Sequence, residues 1–420
     1  MDPGNKYGQL ILDLPELRKN VARYMWSIFA KATHFRLSDF PETPFVLNSA
    51  GLFPVSDTFD DFLSGKIEIV VSRYQLPEGL PDFRKEEPLA CAFYLINSLH
   101  ETLLSSDKLD KYDRYPYQES IQFTNDLIER NYVQEIFDEL YQKITGNPPE
   151  KVKSKLMWSH DIDYLYSAWK TDLILAYQKR EYHRIPGILW HSLTHPHRWN
   201  NVEHILELEQ ENDIQSIFFW LTEQKKCSLS DTIYIDHADY SFHSKSIKSL
   251  WKKVLKAGSQ NGLHKSAFNF TFDQELLKLP NNVFINRNHF LKISVNAHYE
   301  KIEKSGLKYD ATLGFPDHYG FRNSFGQPFQ PYNTRENQPY RFMEIPLHLM
   351  DTTFRTYLTI ELQEMMDKMF GFIQRHRYSC VISLLIHNSQ FNFQDEREVE
   401  LWKQFYSSLQ DFESYMPEKV

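Results

Sequence analysis

The sequence predicts an α/β protein in which a parallel strand–helix array follows a smaller α+β unit, and three observations carry that expectation. From about residue 151 onward, short apolar runs alternate with amphipathic ones, the pattern of βα units. Ionisable residues stand just after several of the apolar runs, where the C-terminal ends of parallel strands gather loops into a site. Upstream, Gly146-Asn-Pro-Pro149 is the clearest boundary in the chain and divides it into domains 1–148 and 149–420.

Size and composition agree. The 420 residues, 41% hydrophobic and 15% aromatic, can bury a large core in two domains. Lys plus Arg number 47 against 56 for Asp plus Glu, a net charge of −9 that argues against general nucleic-acid affinity. Cys91, Cys227 and Cys380 lie far apart, form neither a disulfide framework nor a C-x-x-C metal site, and fit a reducing setting. The start of the chain lacks the pattern of a signal peptide, and no run of about 18 uncharged apolar residues marks a membrane span. A cytoplasmic protein without an integral membrane segment is therefore expected. The 24 Tyr, 31 Phe and 8 Trp exceed what an ordinary core needs; aromatics also serve against sugar rings, but core packing is the first reading.

In the first third, Leu10, Leu14, Leu17, Val21, Tyr24 and Phe29 recur at helical spacing and predict a helix over about 8–33, broken or begun by Pro15. Phe45 to Phe53 and Ile67 to Val71 read as short strands. Ala90, Phe93, Leu95, Ile96 and Leu99 predict a helix over 88–104. A polar, turn-forming stretch from Asp107 to Pro116 follows, then a helical region over 121–144 that breaks near Asn131. This third holds no catalytic constellation, and it reads as an accessory domain that packs on or shapes a site elsewhere.

Beyond the boundary about seven strands are expected: Lys155 to Asp161, Gln215 to Leu221, Gln260 to Leu263, Val283 to Asn286, Tyr309 to Leu313, Phe342 to Leu347 and Cys380 to Ile386. Helices are expected over 202–212, 245–257, 293–305 and 361–375. Periodicity alone leaves open whether such an array closes into a barrel or stays an open doubly wound sheet.

Chemistry concentrates at the strand ends. In Trp158-Ser-His-Asp-Ile-Asp-Tyr164, alternation along an extended chain points Asp161 and Asp163 one way and His160 and Ile162 the other. Two like charges at one strand tip need a cation, hydrogen bonds or water between them. His264 follows the third strand, Arg287-Asn-His289 the fourth, Asp310 opens the fifth, and His387-Asn388 follow the last. Acids mixed with imidazoles suit a divalent metal of the Zn, Fe, Co or Ni type better than Mg or Ca, which prefer oxygen alone. With one carboxylate as base, a histidine as acid and Arg287 holding the base ionised, the implied reaction is hydrolysis of an amide or ester.

The segments Ser159-His-Asp-Ile-Asp163, Asn261-Gly-Leu-His-Lys-Ser266, Asn286-Arg-Asn-His-Phe-Leu291, Tyr309-Asp-Ala-Thr-Leu-Gly-Phe315, Gly320-Phe-Arg322 and Ile386-His-Asn-Ser389, in this order and spacing, resemble the polysaccharide deacetylase (NodB-homology, carbohydrate esterase 4-like) family over about 151–395. The likeness is greatest to a branch with an additional N-terminal domain, which the stretch Asp110-Lys-Tyr-Asp-Arg-Tyr-Pro116 also resembles. The resemblance implies a distorted (β/α)7 barrel. It also implies a metal-dependent hydrolase, Zn being the first choice of metal, that removes acetyl groups from an N- or O-acetylated carbohydrate in glycan or cell-surface polysaccharide metabolism. Carried over by position, it makes Asp161 the general base, Asp163 a metal ligand and His264 the first histidine of an H-x-x-x-H motif. Arg287 becomes the arginine that orients the base, Asp310 the acid of the fourth motif and His387 the leaving-group acid. The second motif histidine is replaced by Phe268; because strand tips of a barrel adjoin, His289 is the preferred substitute ligand, ahead of His160, His243 or water. Two alternatives stay open: a degenerate barrel that binds glycan or a partner without turnover, and an amidohydrolase acting on a small non-sugar amide.

Weaker features border these. Asp236-His-Ala-Asp-Tyr240 and His243 precede a helix and either border the pocket or, the first reading, form an aspartate-rich loop that caps that helix. Asp317-His-Tyr319 either contacts substrate or forms a turn, and Asp351 lies beyond an irregular strand over 344–347 where it can face the site. His191, His195 and His197, with Trp190 and Trp199, read as an irregular lid or surface loop rather than a second metal site.

Overall fold

A computed structural model describes residues 10–13, 16–35, 45–48, 88–229 and 233–418. In the first third, strand β1 (Leu10–Asp13) pairs in parallel with β2 (Phe45–Asn48), and helices Glu16–Thr33, Pro88–Ile96 and Tyr132–Thr145 pack on one another. The rest is built on one parallel sheet. Its strands are β3 (Lys155–Ile162), β4 (Ser216–Leu221), β7 (Gln260–Lys265), β8 (Ile285–Asn288), β9 (Tyr309–Asp310), β12 (Met343–Glu344), β13 (Leu349–Met350) and β14 (Val381–Leu385). Two small hairpins, β5 (Cys227–Ser228) with β6 (Tyr234–Ile235) and β10 (Tyr332–Asn333) with β11 (Gln338–Pro339), lie outside it.

The eight strands stand in the order β12-β9-β8-β7-β4-β3-β14-β13, all neighbours parallel, and the sheet curls into a half barrel. The curl is visible in side chains that cross it: Arg287 on β8 reaches Ser159 and Asp161 on β3, although β7 and β4 lie between those strands. The two edge strands, β12 and β13, are consecutive in the chain. Ile345 donates its N–H to Asp310 at one edge, and three residues later His348 donates its N–H to Ser383 at the other. One short segment thus satisfies backbone groups that open edges would leave unpaired. The His348 ring extends this role, its Nδ1 accepting the N–H of Ser383 at 3.1 Å.

Strand alternation sorts side chains into two layers. Met157, Ile217, Phe219, Ile285, Tyr309, Ala311, Ile345 and Val381 form an inner apolar cluster. Continuing the same parity toward the C-terminal ends gives Ser159, Asp161, Asp163, His264, Arg287, His289 and His387, so the inner layer turns from apolar to ionisable at one end. The outer layer packs on helices; Trp158, for example, stacks on Tyr406 with ring centroids 4.7 Å apart.

Several elements depart from expectation. Helix begins at Glu16, and Leu10–Asp13 is a strand; three successive apolar residues fit an extended chain as well as a helix. The helix from Pro88 ends at Ile96 because Ser98 adopts φ 49°, and a 3-10 turn over Leu99–Leu103 follows. The expected strand at Ile67 to Val71 and the end of that at Phe45 to Phe53 lie outside the described residues. The stretch around His191, expected to be irregular, is helical: Ala168–Gln178 and Ile185–Thr194 form a hairpin of two helices. A C-terminal helix, Glu396–Ser408, completes the outer layer and buries Trp402, Phe405 and Tyr406.

Candidate metal centre

Asp163, His264 and His289 each offer a ligand atom, and these atoms lie within 4.8 Å of one another; among the described residues no other group of His, Cys, Asp or Glu meets this condition. They come from the tips of β3, β7 and β8, strands brought side by side or nearly so by the sheet order. Asp163 Oδ1 stands 3.4 Å from His264 Nε2 and 3.7 Å from His289 Nε2. Those spacings exceed a good hydrogen bond. They are close to the separation of about 3.3–3.6 Å between two donors on a tetrahedral Zn at about 2.0–2.2 Å.

The hydrogen bonding points the same way. His264 Nδ1 sits 2.9 Å from the carbonyl of Arg287, which needs a proton on Nδ1 and leaves Nε2 as the free donor atom. Both His264 Nε2 and Asp163 Oδ1 are buried without a hydrogen-bond partner. Orphaned buried polar atoms are costly, and a shared cation satisfies two of them at once. Burial pushes the Asp163 carboxyl up, but the facing His289 and His264 rings hold it well below the usual carboxylate range. Burial also opposes charge on both rings; Asp161 and Asp163 outweigh it at His264, whose pKa rises, while burial prevails at His289, whose pKa falls. The residues present therefore fit a divalent cation.

Asp161 is held differently. Its Oδ1 accepts a hydrogen bond from Arg287 Nη1 at 2.9 Å, and its Oδ2 lies 3.5 Å from His264 Nε2. Arg287 is fully buried, donates also to Ser159 Oγ and to the Ala311 carbonyl, and its guanidinium carbon lies over the Phe219 ring at 4.4 Å from the centroid. Gly262 makes room for that ring: a Cβ there would stand 2.7 Å from Phe219. His387 completes the group, its Nε2 3.7 Å from Asp163 Oδ2. Behind it, Asp351 takes Nδ1–H of the ring at 2.7 Å and the His387 backbone N–H at 2.6 Å. Burial lowers the affinity of His387 for its proton, yet Asp351 and then Asp163 and Asp161 raise its pKa to about 10.

Asp310 is not brought to this group. Tyr309 and Ala311 belong to the inner cluster, so Asp310 between them faces the helices. There its carboxylate accepts from His298 Nε2 at 2.7 Å, Asn286 Nδ2 at 2.7 Å and Thr312 Oγ1 at 2.9 Å. The structure thus places Asp310 apart from the group in which a catalytic role was expected for it. His160, on the outer parity of β3, pairs with Glu209 at 2.9 Å and is no ligand, and His243 is exposed. Phe268, in place of the second motif histidine, stacks on His237 at 4.9 Å. His237 is excluded as a ligand because both its nitrogens are engaged, Nδ1 with the Lys225 carbonyl and Nε2 with the Ala267 N–H.

Sequence reasoning undervalued the loop at 236–240. Asp239 accepts the N–H groups of Leu165 and Tyr166, and Tyr240 Oη donates to the Ile162 carbonyl, so this loop holds the chain on either side of Asp163 rather than capping a helix. The N-terminal motif also has a use. Arg114 bonds Asp110, Tyr357 Oη and the carbonyl of Phe290, the residue after His289. Phe290 and Leu291 both have positive φ, 62° and 50°, a turn that non-glycine residues hold only under constraint. Asp317 accepts the Tyr117 N–H, and the His318 ring packs at a tilt against Tyr117 with centroids 4.3 Å apart, so that loop docks the N-terminal region. A cavity of about 500 Å3, lined by His289, Phe268, Phe270 and Lys292, opens beside the group.

Fold and site together define a mixed α/β protein with a parallel half-barrel sheet and an Asp-His-His cluster at its C-terminal end. A family described as of unknown function (DUF7033) matches residues 53–149. No curated protein matches the chain. Among solved structures, the chain is similar to one named "putative polysaccharide deacetylase from Mycobacterium smegmatis", with 13% identity, a TM-score of 0.39, and coverage of 63% of this chain and 86% of that chain.

Proposed function

We propose that this protein is a metal-dependent deacetylase of N- or O-acetylated carbohydrate, built on a distorted (β/α)7 barrel whose seventh strand is the segment 343–350 that meets both sheet edges. The observation that carries the reading is the pair of unsatisfied buried atoms, Asp163 Oδ1 and His264 Nε2, facing each other beside a second carboxylate held by a buried arginine. Asp163, His264 and His289 would hold the ion, with Zn preferred and Fe, Co or Ni also suited to the donor set. When bound, the ion supplies Lewis-acid polarisation of the acyl oxygen and a lowered pKa for water.

The remaining roles belong to the chain. Asp161, oriented by its hydrogen bond from the buried Arg287, takes the proton from the attacking water. His387 is protonated at neutral pH because Asp351 supports its charge, and it can give that proton to the leaving nitrogen or oxygen. The aromatic and cationic walls of the adjoining cavity suit a sugar ring. The first 148 residues act as an accessory domain whose Arg114 supports the turn after His289.

The test is acetate release. Zn- or Co-loaded protein should deacetylate members of a panel of acetylated sugars offered beside small cyclic and linear amides. Asp161→Asn should lose about 10²–10⁴-fold in turnover while keeping its metal. His264→Ala and His289→Ala should lose stoichiometric metal by elemental analysis. Full activity in Asp161→Asn, or no acetate from any sugar, defeats the reading; turnover of the amides alone would make the protein an amidohydrolase.

A further inference from the structure

The helical hairpin over 168–194 holds the densest run of exposed large apolar side chains among the described residues. Of the 16 large apolar side chains exposed there, seven lie between Ile174 and Leu193, led by Leu193 at 84%, Trp190 at 68% and Tyr177 at 67%. Helix Ile185–Thr194 contains Ile185, Ile188, Leu189, Trp190 and Leu193, and buries none of its residues. A patch of this kind marks an interaction surface, because leaving it in water costs about 25 cal/mol per Å2.

Its charge says which kind. Residues 168–198 hold five cations, Lys170, Lys179, Arg180, Arg184 and Arg198, against two acids, Asp172 and Glu181, within a chain of net charge −9. The acids are already paired, Asp172 with Arg198 and Glu181 with Arg184. Lys179 and Arg180, exposed at the turn between the helices, form no salt bridge among the described residues, although Lys179 lies close enough to the paired Glu181 to help Arg184 lower its carboxyl pKa. A second copy packed through this face about a two-fold axis would set like charges against each other. An anionic bilayer complements both features: Trp, Tyr and Leu sit at the boundary between headgroups and acyl chains, and Lys and Arg meet the lipid charge.

The hairpin is also fixed to the candidate site. Asn388, next to His387, donates at 2.7 Å to the carbonyls of Tyr164 and Trp199, which flank the hairpin on either side. We propose that the hairpin docks the protein on an anionic membrane surface, Trp190 and Leu193 entering the headgroup boundary and Lys179 and Arg180 contacting anionic lipid. Such docking would hold the C-terminal end of the sheet at the bilayer, where an acetylated carbohydrate attached to a lipid could reach it.

Co-sedimentation with vesicles tests this without any assay of turnover. The protein should pellet with vesicles of phosphatidylcholine mixed with phosphatidylglycerol, less with phosphatidylcholine alone, and less again as salt rises. The double variant Trp190→Asp, Leu193→Asp should lower the ratio of bound to free protein at least about tenfold. Lys179→Glu with Arg180→Glu should abolish the preference for phosphatidylglycerol. All four side chains are exposed, so circular dichroism should show unchanged folding. Binding that is absent, or equal in wild type and the double aspartate variant, overturns the proposal. So does a dimer in sedimentation velocity that the aspartate variant dissociates without any vesicle binding by the wild type, which would assign the face to a second copy.

Discussion

At the scale of single residues, parity along a strand decides function. Asp161, Asp163, Arg287, His289 and His387 share the inner layer, whereas His160, Asn286 and Asp310 share the outer one. The two kinds look alike in the sequence. Asp310 and Asp163 are both acids at strand ends, yet one is saturated by three hydrogen bonds and the other has a buried oxygen with none. Asp310→Asn should therefore leave metal content intact and turnover within a few-fold. It should cost stability on the order of 3 kcal/mol in urea unfolding, because it unbalances the buried pair with His298. A hundredfold loss of turnover at unchanged stability would return Asp310 to the site. His289 was reachable from the sequence through the adjacency of strand tips; the engaged state of His237, which disqualifies it, was not.

At the scale of elements, short irregular pieces position the site. The turn after His289 runs through two residues in the left-handed region, and Arg114, 176 positions upstream of Phe290, bonds its carbonyl. Removing that support should let His289 wander. Arg114→Ala is expected to weaken Zn binding about 10–100-fold in calorimetric titration of metal-free protein, the range for supports of metal ligands. Arg114→Lys should not restore it, since three partners need the planar fork. Asp113→Asn, which removes the charge of the exposed pair with Lys292 while keeping a residue that tolerates the φ of 58° at this position, is the control and should bind Zn normally. Equal affinity in Arg114→Ala and the control would show that the turn holds itself.

At the scale of the molecule, one hydrophobic cluster runs from Val21 in the first helix to Phe412 near the C-terminus, so the two parts of the chain share a core. Two buried histidines adjoin it: His100 against Tyr94 and Tyr115, and His348, in the segment between β12 and β13, against Phe321. Burial lowers their pKa values to about 4 and about 3. A depressed folded-state pKa means that the stabilising contribution is complete above the unfolded value near 6.5 and is lost as pH falls below it. Each should cost up to about 1.4 kcal/mol per pH unit between about 6.5 and its folded value. Urea midpoints of metal-free protein should fall from about pH 7 to about pH 5, and His348→Gln should flatten the slope. An unchanged midpoint across that interval would mean that these rings find protons or solvent in the folded state.

Much of this protein was determined by its sequence alone. Alternating apolar and amphipathic runs located seven of the eight sheet strands, all but Leu349–Met350, and the four helices expected between them, though not Glu396–Ser408, because hydrophobic periodicity is a local property of the chain. The same local rule placed Asp161 and Asp163 on one face. Helix in the segment 168–194 was not legible, since its apolar residues face outward and no helix-long stripe points to a core. Only the tertiary structure decided which face of each strand is inside, that β12 and β13 occupy opposite edges, and that Asp163, His264 and His289 converge. Those facts depend on strand order and curl, which are set by packing between residues more than a hundred positions apart.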